Sequence, residues 1–171
     1  MNQSFDMDAV EHFTVGAIGE PGSRLFLMQF QQGTVLATLK VEKQQVSALC
    51  SYLGELLADS PSPGHLPEDM ALRTPLDIDW VAGALGASYD EVADRITFLI
   101  EEAGLSELES ESIDTNASAR CMVTREQAAA FAIHGTSLVE SGRPPCPLCG
   151  HPLDPSGHAC PRTNGHRPPS L

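Results

Sequence analysis

The chain has 171 residues and a mass of 18.3 kDa, enough for one core of ordinary size and a small appended module. Hydrophobic residues make up 42% of it and charged residues 19%, which excludes a disordered chain because such chains have too little apolar material to bury. The net charge of −13 predicts that neither duplex DNA nor an anionic membrane surface is a partner, since an acidic body repels phosphate groups.

The cysteines and the apolar runs indicate the compartment. The amino-terminal residues carry no basic and apolar leader, and no stretch approaches the roughly 18 apolar residues of a membrane helix. Two of the five cysteines, Cys50 and Cys121, are isolated, and three are clustered with histidines near the carboxyl end. This pattern is typical of a reducing compartment with a metal site, so we expect a cytoplasmic protein.

The first half of the chain is predicted to contain three strands and a helix. Apolar, aromatic and β-branched residues between turn signals predict strands at residues 12–18, 25–31 and 34–41. Apolar residues then recur at helical spacing over about residues 42–58, which predicts a helix. The closely spaced prolines of residues 60–67 exclude either regular element and predict a loop.

The second half repeats this order. Strands are expected near residues 80–88, 95–102 and 119–123, followed by a helix over about 125–140 that Thr124 and Gln127 begin as a capping box. The fold class is therefore α+β, built from two β-β-β-α units. Neither unit is large enough to be stable alone, so we expect one antiparallel sheet or partly closed barrel with both helices packed on it. The core domain is placed at residues 1–141, with halves at about 11–58 and 76–141.

Residues 82–104 also allow a helix-turn-helix interpretation, because their apolar residues fit a helical period. The second helix of such a motif would carry several carboxylates, including Asp90, Asp94 and Glu101, against the single cation Arg95. These carboxylates would repel the phosphates of a DNA groove, so DNA reading is disfavoured.

The carboxyl-terminal segment 142–171 has the spacing of a zinc-binding tail. Two thiolates on a short turn, followed about ten residues later by a second ligand pair, suit a tetrahedral zinc ion. The favoured ligands are Cys146, Cys149, His158 and Cys160. His166 is a rival fourth ligand, and His151 is a weaker candidate. Four protein ligands leave no position for water, so we expect structural rather than catalytic zinc.

Several motifs resemble those of an actinobacterial protein family known as domain of unknown function 3090. The motifs are F-x-V-G-x-x-G-E-P-G-x-R-x-F-x-x-Q from Phe13 to Gln29, E-K-Q-Q-V from Glu42 to Val46, W-x-A-G from Trp80 to Gly83, and G-R-P-P-C-P-L-C-G-x-P-L-D-P-x-G-H-x-C-P-R-x-N-G from Gly142 to Gly165. The last motif is specific enough to carry the resemblance alone. The chain departs from the family pattern mainly at the short acidic connector 106–119.

The resemblance implies a hairpin after Trp80 and no established activity. It also implies a gene neighbourhood with kinase-like and histidine-phosphatase-like proteins, and so an association with phosphoryl chemistry. We therefore expect a zinc-stapled, non-enzymatic adaptor or regulatory module that acts through protein contacts. The alternative is an enzyme or a binder of a small phosphate ligand, with a pocket between the two halves and with Arg24 and Lys43 as anion contacts.

Overall fold

The computed structural model describes residues 2–104, 116–142, 145–151, 153 and 158–162. The elements in chain order are β1 (Phe5–Met7), β2 (His12–Ile18), β3 (Leu25–Gln32), β4 (Val35–Val41), α1 (Lys43–Ala58), β5 (Trp80–Asp90), β6 (Arg95–Glu102), β7 (Ser118–Val123) and α2 (Arg125–Glu140). The α+β class and the two β-β-β-α units are confirmed.

The seven strands form one open sheet in the order β1-β7-β6-β5-β4-β3-β2. Pairing is antiparallel within each unit, as expected. It is parallel where the units join, because α1 is a crossover that returns the chain to start β5 beside β4 in the same direction. The short strand β1, which the sequence did not predict, pairs in parallel with β7. The sheet is therefore mixed and unclosed, not wholly antiparallel or barrel-like.

Residues 80–102 form a hairpin, so the helix-turn-helix interpretation is wrong. The side chains of β5 alternate between more and less buried positions, as those of a strand do. At the turn, one carboxylate oxygen of Asp90 accepts hydrogen bonds from the amides of Val92 and Ala93, both at 2.9 Å. The apolar spacing of this segment fits a helix, but strand pairing between β5 and β6 overrides it.

A cluster of phenylalanines joins the two units into one core beneath the helices. The ring of Phe13 on β2 stacks on Phe30 of β3 at 4.8 Å and on Phe131 of α2 at 4.2 Å, measured between centroids. Phe98 of β6 approaches the same ring at 4.9 Å. The core therefore crosses from one unit to the other, which explains why neither half needs to be stable alone.

The sheet face opposite the helices is covered by the connection between α1 and β5. A buried polar row crosses three paired strands on this face, at Thr14, Gln29 and Thr38. The Thr14 hydroxyl donates to the carbonyl of Met70 at 2.6 Å, and the Gln29 amide exchanges two hydrogen bonds with the backbone of Arg73, at 2.7 and 2.9 Å. Partners from this connection thus satisfy the polar groups that the sheet buries.

Two residues at the edge of the same face fit closely against this connection. Nε2 of the buried His12 lies 3.0 Å from the carbonyl oxygen of Ala71, and burial lowers the pKa of this histidine below its usual value. A Cβ on Gly16 would lie 2.5 Å from Cγ of Leu72, so the close approach requires a glycine.

Neither described helix is both long and apolar enough to cross a bilayer.

Candidate metal centre

A tight turn places the first two candidate ligands side by side. The amide of Gly150 donates to the carbonyl of Cys146 at 2.8 Å, and the Cys146 amide donates to the carbonyl of His151 at 2.7 Å. Gly150 has a φ of +75°, a left-handed conformation that glycine adopts without steric cost. The backbone closes on itself here, so the thiols of Cys146 and Cys149 face one point.

The four favoured ligands converge on that point. One donor atom from each of them lies within 4.8 Å of every other; the residues are Cys146, Cys149, His158 and Cys160. The Sγ atoms of Cys146 and Cys160 are 3.9 Å apart, and Sγ of Cys149 is 3.2 Å from Nε2 of His158. A tetrahedron with metal–sulfur bonds of about 2.3 Å has edges of about 3.8 Å. The group thus has the size and the number of donors of a tetrahedral metal site.

The same side chains form a small apolar cluster apart from the core of the sheet. Cys146, Leu153 and Cys160 are each buried, and Cys149 packs against them. Nδ1 of His158 is also buried, and it has no hydrogen-bond partner among the described residues. Nε2 is therefore the histidine nitrogen that faces the sulfurs.

Backbone amides modify the charge of the two turn thiols. Burial acts to raise the pKa of Cys146, but hydrogen bonds from the amides of Cys149 and Leu148, together with those from the thiols of Cys149 and Cys160, outweigh it, and the pKa is lowered. The Leu148 nitrogen is 3.4 Å from the Cys146 sulfur. Burial raises the pKa of Cys149, and the neighbouring thiols of Cys160 and Cys146 raise it further. One thiolate is thus favoured by the turn itself, and a cation would supply the charge that the others need.

The other candidate ligands have different positions. His151 is exposed and is not one of the four converging residues. His166, the rival fourth ligand, lies outside the part of the chain that the structure describes. The isolated thiols belong to the core cluster of the sheet and helices, where burial raises the pKa of Cys50 to about 11 and that of Cys121 to about 12.

A family model described as a protein of unknown function, DUF3090, matches residues 5–160. The chain belongs to the DUF3090 family. The match spans both β-β-β-α units of this DUF3090 chain and ends at Cys160, the last of the four converging residues. No curated protein is significantly similar to the chain.

The two predicted anion contacts also lie near each other, at a separate place. Arg24 and Lys43 line a cavity between the β2–β3 turn, the start of α1 and the end of α2. Lys40 lines the same cavity and was not predicted from the sequence, because a lysine near the end of a strand is ordinarily a solvated residue. Its spacing of three residues from Lys43 across the strand–helix junction was the available signal.

Proposed function

We propose that this DUF3090 chain is a zinc-stapled adaptor, in which a structural zinc ion orders the carboxyl-terminal turn as a contact surface for a protein partner. The observation that carries the proposal is the convergence of three sulfurs and one imidazole nitrogen within 4.8 Å. Soft thiolates with one imidazole are a common donor set for structural zinc. When bound, the ion would cross-link a loop that has little apolar material of its own.

The coordination count supports a structural role over a catalytic one. Cys146, Cys149 and Cys160 with His158 complete a tetrahedron, so a bound ion has no open position for water or substrate. The isolated thiols do not offer an alternative chemistry, because burial holds Cys50 and Cys121 in the neutral form that is a poor nucleophile.

The turn also offers a contact residue. Leu148 lies between two of the converging cysteines and is 50% exposed, so a metal-ordered turn holds an apolar side chain outward at little entropic cost. The net charge of −13 favours a partner with a basic surface. The association with kinase-like and histidine-phosphatase-like proteins, implied by the family resemblance, stays a prediction and supplies the first partners to test.

The metal is tested by counting zinc per chain after dialysis against a weak chelator. Replacement Cys149→Ser removes one thiolate, and we expect zinc affinity to fall by more than the roughly 10- to 100-fold that loss of an outer-shell group causes. His151→Gln, two residues away and outside the cluster, is the matched control and should bind zinc as the parent does. A Cys149→Ser protein with unchanged zinc affinity would contradict the proposal. If His166→Gln loses zinc, His166 takes the place of His158 as the fourth ligand.

The adaptor role is tested separately with Leu148→Ser, which leaves all four donors in place. Isothermal titration with the purified kinase-like and histidine-phosphatase-like neighbours measures binding to the parent, to this variant and to His151→Gln. We expect the Leu148 variant to keep its zinc but to bind its partner at least about tenfold more weakly, since a buried apolar anchor typically contributes that much. Equal binding of the partner by the parent and the Leu148 variant would refute the role of this turn as a contact surface. The zinc assignment does not depend on that result.

A further inference from the structure

The second site lies in a cavity of about 380 Å³ to which both β-β-β-α units contribute. Its walls are the turn between β2 and β3, the ends of β3 and β4 that adjoin that turn, the first residue of α1, and Leu138 and Gly142 at the end of α2. The volume is at the lower end of the range of roughly 300–1,000 Å³ that small-molecule sites occupy.

The charge of this cavity is opposite to that of the protein. Arg24, Lys40 and Lys43 line it, three of only ten basic residues in a chain of net charge −13. Glu42 is the one carboxylate on the wall, and its Oε1 lies 4.0 Å from Nζ of Lys40. In the described part of the chain, neither Arg24 nor Lys43 has a carboxylate partner within ion-pair distance. A concave surface of this kind concentrates anions.

A comparison within the chain shows what is missing beside Lys43. The repeat places Arg125 at the first position of α2, where Lys43 stands in α1. Arg125 donates to the carboxylate of Asp94 at 2.6 Å, and Glu126 follows it in the first turn. The first turn of α1 contains no acidic residue, and the one described carboxylate at this end of the helix, that of the N-cap Glu42, lies near Lys40 and forms no ion pair with Lys43. A cation at the positive end of a helix dipole is unfavourable unless an anion compensates for it.

A purely structural explanation accounts for part of this arrangement. Nη1 of Arg24 donates to the hydroxyl of Ser141 at 3.2 Å, and a Cβ on Gly142 would lie 3.0 Å from Nζ of Lys43. Both cations thus lie at the carboxyl end of α2, whose partial negative charge of about half a unit they stabilise. That charge is small beside the two full charges, and the hydroxyl is neutral, so excess positive charge remains in the cavity.

We propose that this cavity binds a small soluble phosphate monoester. The guanidinium of Arg24 offers paired donors that match two phosphate oxygens, and Lys43 adds a point charge from the facing wall. The remaining volume accommodates the organic part of the ligand beside Leu25, Phe26 and Leu138. The site is independent of the metal centre and of the proposed adaptor role.

The test is a titration of the zinc-loaded, full-length chain with inorganic phosphate and with glycerol 3-phosphate, at constant ionic strength and with glycerol as the neutral control. The amide resonances of Gly22, Ser23 and Lys43 are expected to shift and to saturate. Replacements Arg24→Gln and Lys43→Gln should each raise the dissociation constant at least about tenfold. Lys43→Arg keeps the charge and should keep binding.

The matched control is Arg95→Gln, which removes the same charge at the start of β6 and should change the dissociation constant by less than about twofold. If Arg24→Gln and Lys43→Gln lower the melting temperature without weakening phosphate binding, the cations serve only the end of α2 and the proposal is wrong. Shifts that do not saturate also overturn it. Pelleting with vesicles of phosphatidylcholine and phosphatidic acid, without binding of the soluble ester, would assign the phosphate to a lipid and reject the soluble ligand.

Discussion

Gly135 stands in the middle of α2 and is buried against α1. A glycine inside a helix costs about 1 kcal/mol relative to alanine. A Cβ here would lie 2.5 Å from Sγ of Cys50 on α1 and 3.3 Å from Cγ1 of Val15 on the sheet. The lost helix propensity is thus offset by a close approach of both helices to each other and to the sheet, which a larger residue would prevent.

This contact predicts strong coupling between the two residues. Gly135→Ala should lower the free energy of unfolding by about 1–3 kcal/mol, because the new methyl group overpacks against the Cys50 sulfur. In a Cys50→Ala background the sulfur is gone, and the same replacement should be neutral or stabilising by up to about 1 kcal/mol through helix propensity. Urea unfolding of the parent, both single variants and the double variant measures the coupling. Additive effects of the two replacements would contradict this explanation.

At the residue scale, the sequence predicts the candidate metal site better than the cavity. The four converging residues lie within fifteen positions of one another, so their spacing alone carries the geometry. The cavity is formed by contacts between distant parts of the chain, such as the one from Arg24 to Ser141. Ser141 has no local signal that joins it to this site, and Lys40 has only its spacing of three residues from Lys43.

Among the elements, one glutamine in the first turn of each helix donates to the backbone of a segment outside that helix. The Gln45 side-chain oxygen accepts from the amide of Glu42 at 2.7 Å, and its nitrogen donates to the carbonyls of Ala82 and Gly83 at 3.1 and 2.7 Å. The register of β5 shifts at this point, so the glutamine supplies donors where the ladder is irregular. In the second unit, the Gln127 side chain donates to the carbonyl of Val10, between β1 and β2, at 2.8 Å.

This double role predicts that Gln45→Glu destabilises the protein, although glutamate is favourable in the first turn of a helix. The carboxylate can still accept from the amide of Glu42 but cannot donate to Ala82 or Gly83. We expect a loss of about 1–3 kcal/mol in the free energy of unfolding, because two part-buried carbonyls lose their donor and face a negative charge.

The matched control is Gln44→Glu, the same change at the preceding exposed position. It should be neutral or stabilising by a few tenths of a kcal/mol through the helix dipole. Thermal and urea unfolding of both variants gives the comparison. Equal effects at the two positions would show that the bonds to β5 contribute no stability.

The elements within each unit could be predicted from the sequence, but the joints between units could not. Hairpin strands such as β3 and β4 are neighbours along the chain, and each is a run of apolar, aromatic or β-branched residues between turn signals. β1 is three residues long and pairs Phe5 with Ala119, so neither periodicity nor a local turn announces it. The parallel contact of β4 with β5 spans only two residue pairs and depends on how α1 packs. Such pairings follow from tertiary contacts.

At the scale of the whole molecule, the described chain has two separate apolar clusters of very different size. The larger one crosses both β-β-β-α units and includes the stacked phenylalanines. The smaller one consists of Cys146, Leu153 and Cys160, and its two cysteines are candidate metal ligands. So small a cluster cannot offset the conformational entropy of its segment, and a metal ion bound to the four donors would supply the difference.

Removal of zinc is therefore expected to release the carboxyl-terminal turn and leave the sheet folded. After chelation, the amides of Cys146 and Gly150, which are hydrogen-bonded within the turn, should exchange with solvent at unprotected rates. The amides of buried strand residues such as Val15 and Phe30 should keep their protection, because a ligand stabilises only the unit whose folding its binding requires. Hydrogen exchange read residue by residue measures both sets.

Cys149→Ser without chelator should give the same pattern, and added zinc should restore protection only in the chelated parent. Loss of protection in the strands together with the turn would mean that the two clusters fold as one cooperative unit, in which the metal stabilises the whole molecule.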